Sequence, residues 1–205
     1  MPTVQLKFCA LRYLNQWLEH DRIYCEGLAG NDEATKLKAL NKAAVFYRVS
    51  RNLPERYDRK KGLPRFKPVL DILDTLAPAN FHGDALLPGI LRVRDQISAQ
   101  YGTLGVLSLT TKFLWVKFQW PIIIYDSKAR SAVGARTGDL ADYYARWRQR
   151  FNEHAKDIEA ACNSLQNVVE YSVNPDLATP RYVQELSGHQ WFRERVFDIY
   201  LWHLG

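Results

Sequence analysis

From Leu6 to Leu204 apolar residues recur at intervals of three and four, with almost none of the strict alternation of a half-buried strand. That period constrains the chain to helices that each bury one stripe. Leu6, Ala10, Tyr13, Leu14 and Trp17, widened by Leu18, form the first stripe, within Val4 to His20. Asn31-Asp32-Glu33 is a helix-opening signal ahead of Leu37, Leu40, Ala44 and Tyr47, towards Ser50. Pro68 suits the first turn of a helix carrying Val69, Leu70, Leu73 and Leu76. After an irregular stretch from Ala77 to Gly83, a helix is expected around Pro88 to Tyr101. Others are expected from Ser108 or Thr110 to a stop at Pro121, from Asp126 to Gly134, from Gly138-Asp139 to Cys162 or beyond, and from Gln190 to Leu204. Pro175 and Pro180 break the chain before the last of these. The single strand-like run, Ile122 to Tyr125, makes no sheet by itself. The expected class is all-α: a compact multi-helix domain over residues 1–205, built as one body or as two interlocked helical lobes.

A length of 205 residues with 47% hydrophobic content is enough for a sizeable core, and no Pro/Gly/Ser-rich linker divides it. The first apolar stretch is broken by Lys7, Arg12, Asn15 and Gln16, unlike a secretory signal, and no run reaches the length of a membrane span. A cytoplasmic, membrane-free monomer is the expectation. Cys9, Cys25 and Cys162 have no metal-ligand spacing, and the five histidines form no His-x-x-x-His pair. Free, mostly buried thiols and no metal or cofactor follow.

Chemistry concentrates in Ser108 to Arg130. Lys112 falls inside an apolar helix with Leu109, Phe113, Leu114, Val116 and Phe118 on its buried side, and Asp126 follows fourteen residues later at a helix start. A lysine packed against Phe113, Trp115 and Val116 is pushed towards the neutral amine that a nucleophile needs. The plain alternative keeps its stem buried and its head in water. A carboxylate at a helix start accepts backbone N–H groups and feels the positive end of the helix dipole, whether it caps or catalyses.

Charge is uneven. Arg48, Arg51, Arg56, Arg59, Lys60, Lys61, Arg65 and Lys67 stand against Glu55 and Asp58, so this one segment holds the +6 of the entire chain. Tyr47, Tyr57 and Phe66 are interleaved, and Pro54, Gly62 and Pro64 interrupt helix, which lets a loop follow a phosphate backbone. Lys128, Arg130 and Arg136 add positive charge just after Asp126. DNA is the expected partner, with a solvated charged loop as the alternative.

Thr111-Lys112 on an apolar helix, Pro121-Ile122 in a hydrophobic run and Asp126-Ser127 at the next helix start together resemble the core of the helix-hairpin-helix DNA glycosylase superfamily, the 8-oxoguanine and endonuclease III-like enzymes. The resemblance covers about residues 85 to 150. The family's two-glycine hairpin is represented by Leu104-Gly105-Val106-Leu107-Ser108, which has one glycine, and there is no cysteine cluster for an iron–sulfur centre. What the resemblance implies is excision of a damaged or modified base from double-stranded DNA, in repair or antiviral defence. Lys112 would attack the sugar C1′ of a flipped-out nucleotide, and Asp126 would be the essential carboxylate. Base flipping needs stacking faces and a wedge, for which Trp115, Trp120, Tyr125 and Tyr171 are candidates. Two other classes fit the residues: a helical nucleic-acid-binding protein without catalysis, and a protein-interaction module from a phage-defence or mobile-element system.

Overall fold

The computed structural model describes residues 5–51, 53, 56–58, 62–102 and 105–205, without the side chains of Arg56, Tyr57 and Leu63. Its fold is all-α. The chain divides into two compact units: Met1–His20 with Tyr125–Gly205, and the intervening Asp21–Ile124.

In the first unit, helix α1 (Leu6–Gln16) runs into a π-helical turn (Trp17–Asp21), which carries the chain out at its last residue. The chain returns through α7 (Ser127–Ala132), α8 (Leu140–Asn163), short 3₁₀ turns at Ser164–Asn167 and Val169–Tyr171, α9 (Pro180–Gly188) and α10 (Gln190–Leu204). The central element is α10, packed against α1, α7, α8 and α9. It buries Phe192, Val196, Phe197, Ile199 and Leu201 together with Glu194, Arg195 and Asp198. Trp147 of α8 stacks on Phe151 at 5.2 Å and meets Phe197 edge-on at 5.1 Å. Each such aromatic contact adds about 0.5–1.5 kcal/mol beyond area burial.

The second unit holds α2 (Arg22–Ala29), α3 (Glu33–Phe46), α4 (Lys67–Asp74), 3₁₀ turns at Pro78–Phe81 and Gly83–Ala85, α5 (Leu86–Tyr101) and α6 (Leu107–Phe118). Asp32 caps α3 by accepting from the Thr35 N–H at 2.8 Å. Two short strands, β1 (Arg56–Asp58) and β2 (Leu63–Pro64), pair antiparallel within the basic segment. Helix α6 packs on α2, α3 and α5, with Phe113 edge-on to Phe66 at 5.6 Å.

Three expectations need correction. The first stripe ends as α-helix at Gln16, and α2 follows where no separate helix was expected. Helix α6 begins at Leu107, with Val106 as an N-cap lacking a side-chain acceptor, and it ends at Phe118 before Pro121; Gln119 leaves at φ +55°. Helix α9 starts at Pro180, which was expected only to break the chain, whereas residues 122 to 125 are buried and join no sheet among the described residues, as expected. The hairpin position Leu104 lies outside the described residues.

Candidate functional site

The lysine site is built entirely within the second unit. Helix α6 is enclosed on nearly every side, so every residue from Leu109 to Val116 is buried, Thr110, Thr111 and Lys112 among them. Lys112, 5% exposed, sits mid-helix with its Nζ donating to Ser108 Oγ, one turn earlier, at 2.8 Å. The same ammonium stands 5.8 Å over the Tyr47 ring. Tyr47, just past α3, donates its hydroxyl to Asp21 at 2.7 Å, and that carboxylate is completely buried. A buried cation is tolerated when hydrogen bonds and a ring face replace water, and here Ser108 of α6, Tyr47 just past α3 and Asp21 at the end of the π-helical turn each contribute one part. The sequence reading did not connect Asp21, Tyr47 or Ser108 with Lys112. The usable signal was Asp21 itself, a carboxylate on the helical stripe of Leu14, Leu18, Cys25 and Leu28.

The aspartate site belongs to the first unit. Asp126 has extended backbone, opens α7, and accepts the Lys128 N–H at 3.0 Å with its carboxylate half-buried. Tyr125 beside it is buried; its hydroxyl accepts from the Gly138 N–H at 2.9 Å and its ring lies 5.1 Å from Tyr143. Burial first, then the charges of Asp198, Tyr144 and Asp126, push the Tyr143 hydroxyl well above its usual range. Asp198 on α10 is also raised, chiefly by burial and in small part by Asp126, against the opposing help of Arg195 and Trp147. Its two oxygens accept from Arg195 Nη1 at 2.7 Å and Trp147 Nε1 at 2.8 Å. One turn away, Glu194 accepts from Arg148 at 2.9 Å and Gln190 at 3.1 Å, while its Oε2 is buried without a hydrogen-bond partner. The buried ionic network on α10, which the sequence reading did not identify, thus has the Asp126 carboxylate among the lesser charges that raise Asp198. The periodicity of Gln190 to Leu204 predicts a helix there but not which helices surround it, and burial by those neighbours makes the network.

The other candidates separate by environment. Trp115 is 1% exposed, a core residue of the second unit, whereas Trp120 is 47% exposed and lies 5.5 Å from the His82 ring. Tyr171, in the first unit, is 66% exposed. Arg48 and Arg51 are exposed, and Arg65 sets its guanidinium 5.9 Å over Phe66. Lys67 is committed to Asp71 and to Glu33, the latter at 3.3 Å, and these carboxylates, Asp71 foremost, hold its pKa above the usual lysine value. Arg56 lies in β1 without a described side chain; Arg59, Lys60 and Lys61 lie outside the described residues. Lys128 is exposed, whereas Arg130 donates to the Ala135 carbonyl at 2.7 Å and so pins the turn after α7.

No disulfide joins the cysteines, and burial pushes the Cys9 thiol up to about 11 and the Cys162 thiol up to about 12. Both are inert packing residues at neutral pH. Among the described residues no cluster of three histidine, cysteine or carboxylate side chains could hold a metal ion, and no helix is long and apolar enough to cross a membrane. These features define an all-α protein with a buried lysine cluster in one unit and a capped aspartate in the other. Comparison with known proteins finds no matching family model, no matching curated protein and no matching solved structure.

Proposed function

We propose that this protein is a DNA glycosylase-like enzyme that removes a damaged or modified base by cleaving the N-glycosidic bond of a flipped-out nucleotide. The observation that carries the reading is Lys112, a primary amine on an apolar helix whose Nζ is oriented by Ser108 at 2.8 Å. An amine so held has a defined direction and little competing water. In the proposed reaction the Lys112 ammonium first releases a proton to solvent, the neutral Nζ attacks C1′, and the C1′–N bond breaks with its electron pair leaving on the base, which takes up a proton from the attacking nitrogen. The lone pair of the nitrogen adduct then expels the ring oxygen, which takes a proton from solvent, and a cationic iminium remains. The resemblance implies that Asp126 is the essential carboxylate. The resemblance around Thr111-Lys112 and Asp126-Ser127 and the basic segment from Arg48 to Lys67 support the same reading.

The test is borohydride trapping and base release on duplexes carrying oxidised, alkylated or hypermodified bases. Wild type is expected to release a base and be trapped; Lys112→Gln should not be trapped, and Asp126→Asn should release base more slowly by orders of magnitude while still folded. Equal rates for all three proteins would remove these residues from catalysis. A second reading, a non-catalytic nucleic-acid-binding protein, is favoured by one observation: Lys112 is hydrogen-bonded and faces the Tyr47 ring in the manner of a structural lysine. Salt-sensitive DNA binding without release on any substrate would establish it.

A further inference from the structure

We propose that an exposed aromatic and cationic patch on the first unit, formed by Phe8 and Arg12 of α1, Lys128 of α7, and Trp202 and His203 of α10, is a contact site for single-stranded nucleic acid. Trp202 is 41% exposed and Phe8 54% exposed at a place where three helices meet. Lys128 Nζ stands 4.0 Å over the Trp202 ring and the Arg12 guanidinium 5.3 Å from the same ring, so one indole positions two cations. Arg12 also donates to His203 Nε2, and the His203 ring lies 5.9 Å from Phe8.

The charge balance points to an anionic occupant. On α8 and α10 several exposed or half-buried arginines are met by carboxylates, as in Arg146 with Asp142, Arg150 with Glu153 and Arg193 with Glu159. No carboxylate forms an ion pair with Arg12 or Lys128 among the described residues. Within the helices that build the patch, α1 and α7 carry no acidic residue and α10 has none after the buried Asp198; the half-buried carboxylate of Asp126, which caps α7, accepts the Lys128 backbone N–H at 3.0 Å. Two cations steadied on an indole, with a second exposed ring beside them, match the chemistry of a nucleotide strand, in which phosphates alternate with flat apolar faces. An acidic peptide would use the cations and leave Phe8 and Trp202 idle.

The proposal rests on the nucleic-acid part of the reading above and is independent of base excision. Its test measures binding of a fluorescent single-stranded oligonucleotide by anisotropy over a salt series, for wild type, Arg12→Gln/Lys128→Gln and Trp202→Ala. The control Arg150→Gln/Arg181→Gln removes the same charge from α8 and α9. Each patch variant is expected to weaken binding about tenfold or more, the double variant should reduce the salt slope by about 1.4, the value for two phosphates on single strands, and the control should do neither to that extent. Affinity and slope unchanged from the control, or polyglutamate displacing the oligonucleotide with no effect of Trp202→Ala, would overturn it. Base release assayed on the same proteins separates the two ideas. Unchanged oligonucleotide binding with normal release removes the patch alone, whereas patch-dependent binding with no release on any substrate removes the glycosylase and keeps the patch.

Discussion

Three aspartates open helices here by accepting a backbone N–H: Asp32 for α3, Asp126 for α7 and Asp139 for α8. Their shared local chemistry makes Asp139 the internal standard for Asp126. Asp139→Ala removes the acceptor that holds the Asp142 N–H at 2.9 Å and should lower stability by about 1 kcal/mol in urea unfolding. Asp126→Asn retains an acceptor and should lose less than that. A larger loss for Asp126→Asn would show that its charge stabilises the start of α7 beyond the cap, since towards the buried Asp198 that charge is repulsive and its removal brings no loss. All three helix starts were legible from the chain, because a cap is a local interaction spanning two or three residues. The partners of Lys112 were not, since Ser108 shares its helix but Tyr47 and Asp21 arrive from distant positions in the chain.

At the scale of elements, two glycines permit helices to approach more closely than any side chain would allow. A Cβ on Gly89 of α5 would lie 2.6 Å from the Asn80 carbonyl oxygen, and one on Gly27 of α2 would lie 2.9 Å from Ala39 Cβ of α3. Gly89→Ala should therefore destabilise by about 1–3 kcal/mol despite the better helix propensity of alanine. Gly27→Ala should do so by a smaller amount, because it meets one methyl group and not backbone. Gly188→Ala, with nothing within 4 Å, should be neutral or mildly stabilising. Chemical unfolding of the three variants decides the ordering, and equal effects would refute the packing argument. The helix boundaries that were read well, such as Gln190–Leu204, have long periodic stripes. Helix α9 was missed because Pro180 was taken only as a breaker, although proline with Thr179 as N-cap begins a helix.

At the scale of the whole molecule, the buried charges of α10 link the stability of the first unit to pH. Glu194 is raised above the usual carboxylate range chiefly by burial, with Arg148 and Gln190 opposing, and Asp198 is raised in the same direction. A carboxyl group with a raised pKa binds its proton more readily in the native state than in the unfolded chain. Its stabilising contribution is therefore present below the unfolded value near 4.5 and is lost as pH rises through the folded value. Glu194→Gln should melt higher than wild type at pH 7.5, with the gap closing towards pH 4.5 in thermal scans. A gap constant with pH would mean that Glu194 does not titrate in this range.

The all-α class was decided by the chain alone, because an apolar period near 3.6 can be buried by helices and by no sheet. Capping aspartates and the packing of Cys9 and Cys162 in the core followed from the same local rules. Tertiary structure alone decided which charges are solvated. Glu194, Arg195 and Asp198 look like an outer face in sequence, yet α10 is surrounded by α1, α7, α8 and α9 and buries them. Lys67 looks like part of a free basic run, yet Glu33 of α3 reaches it at 3.3 Å. Arg12 and Trp202, near opposite ends of the chain, share one patch because α1 packs on α10. Periodicity specifies which side of a helix is apolar, whereas the identity of the neighbour it meets depends on packing between segments far apart in the chain, and that neighbour sets each charge's partner, solvation and pKa.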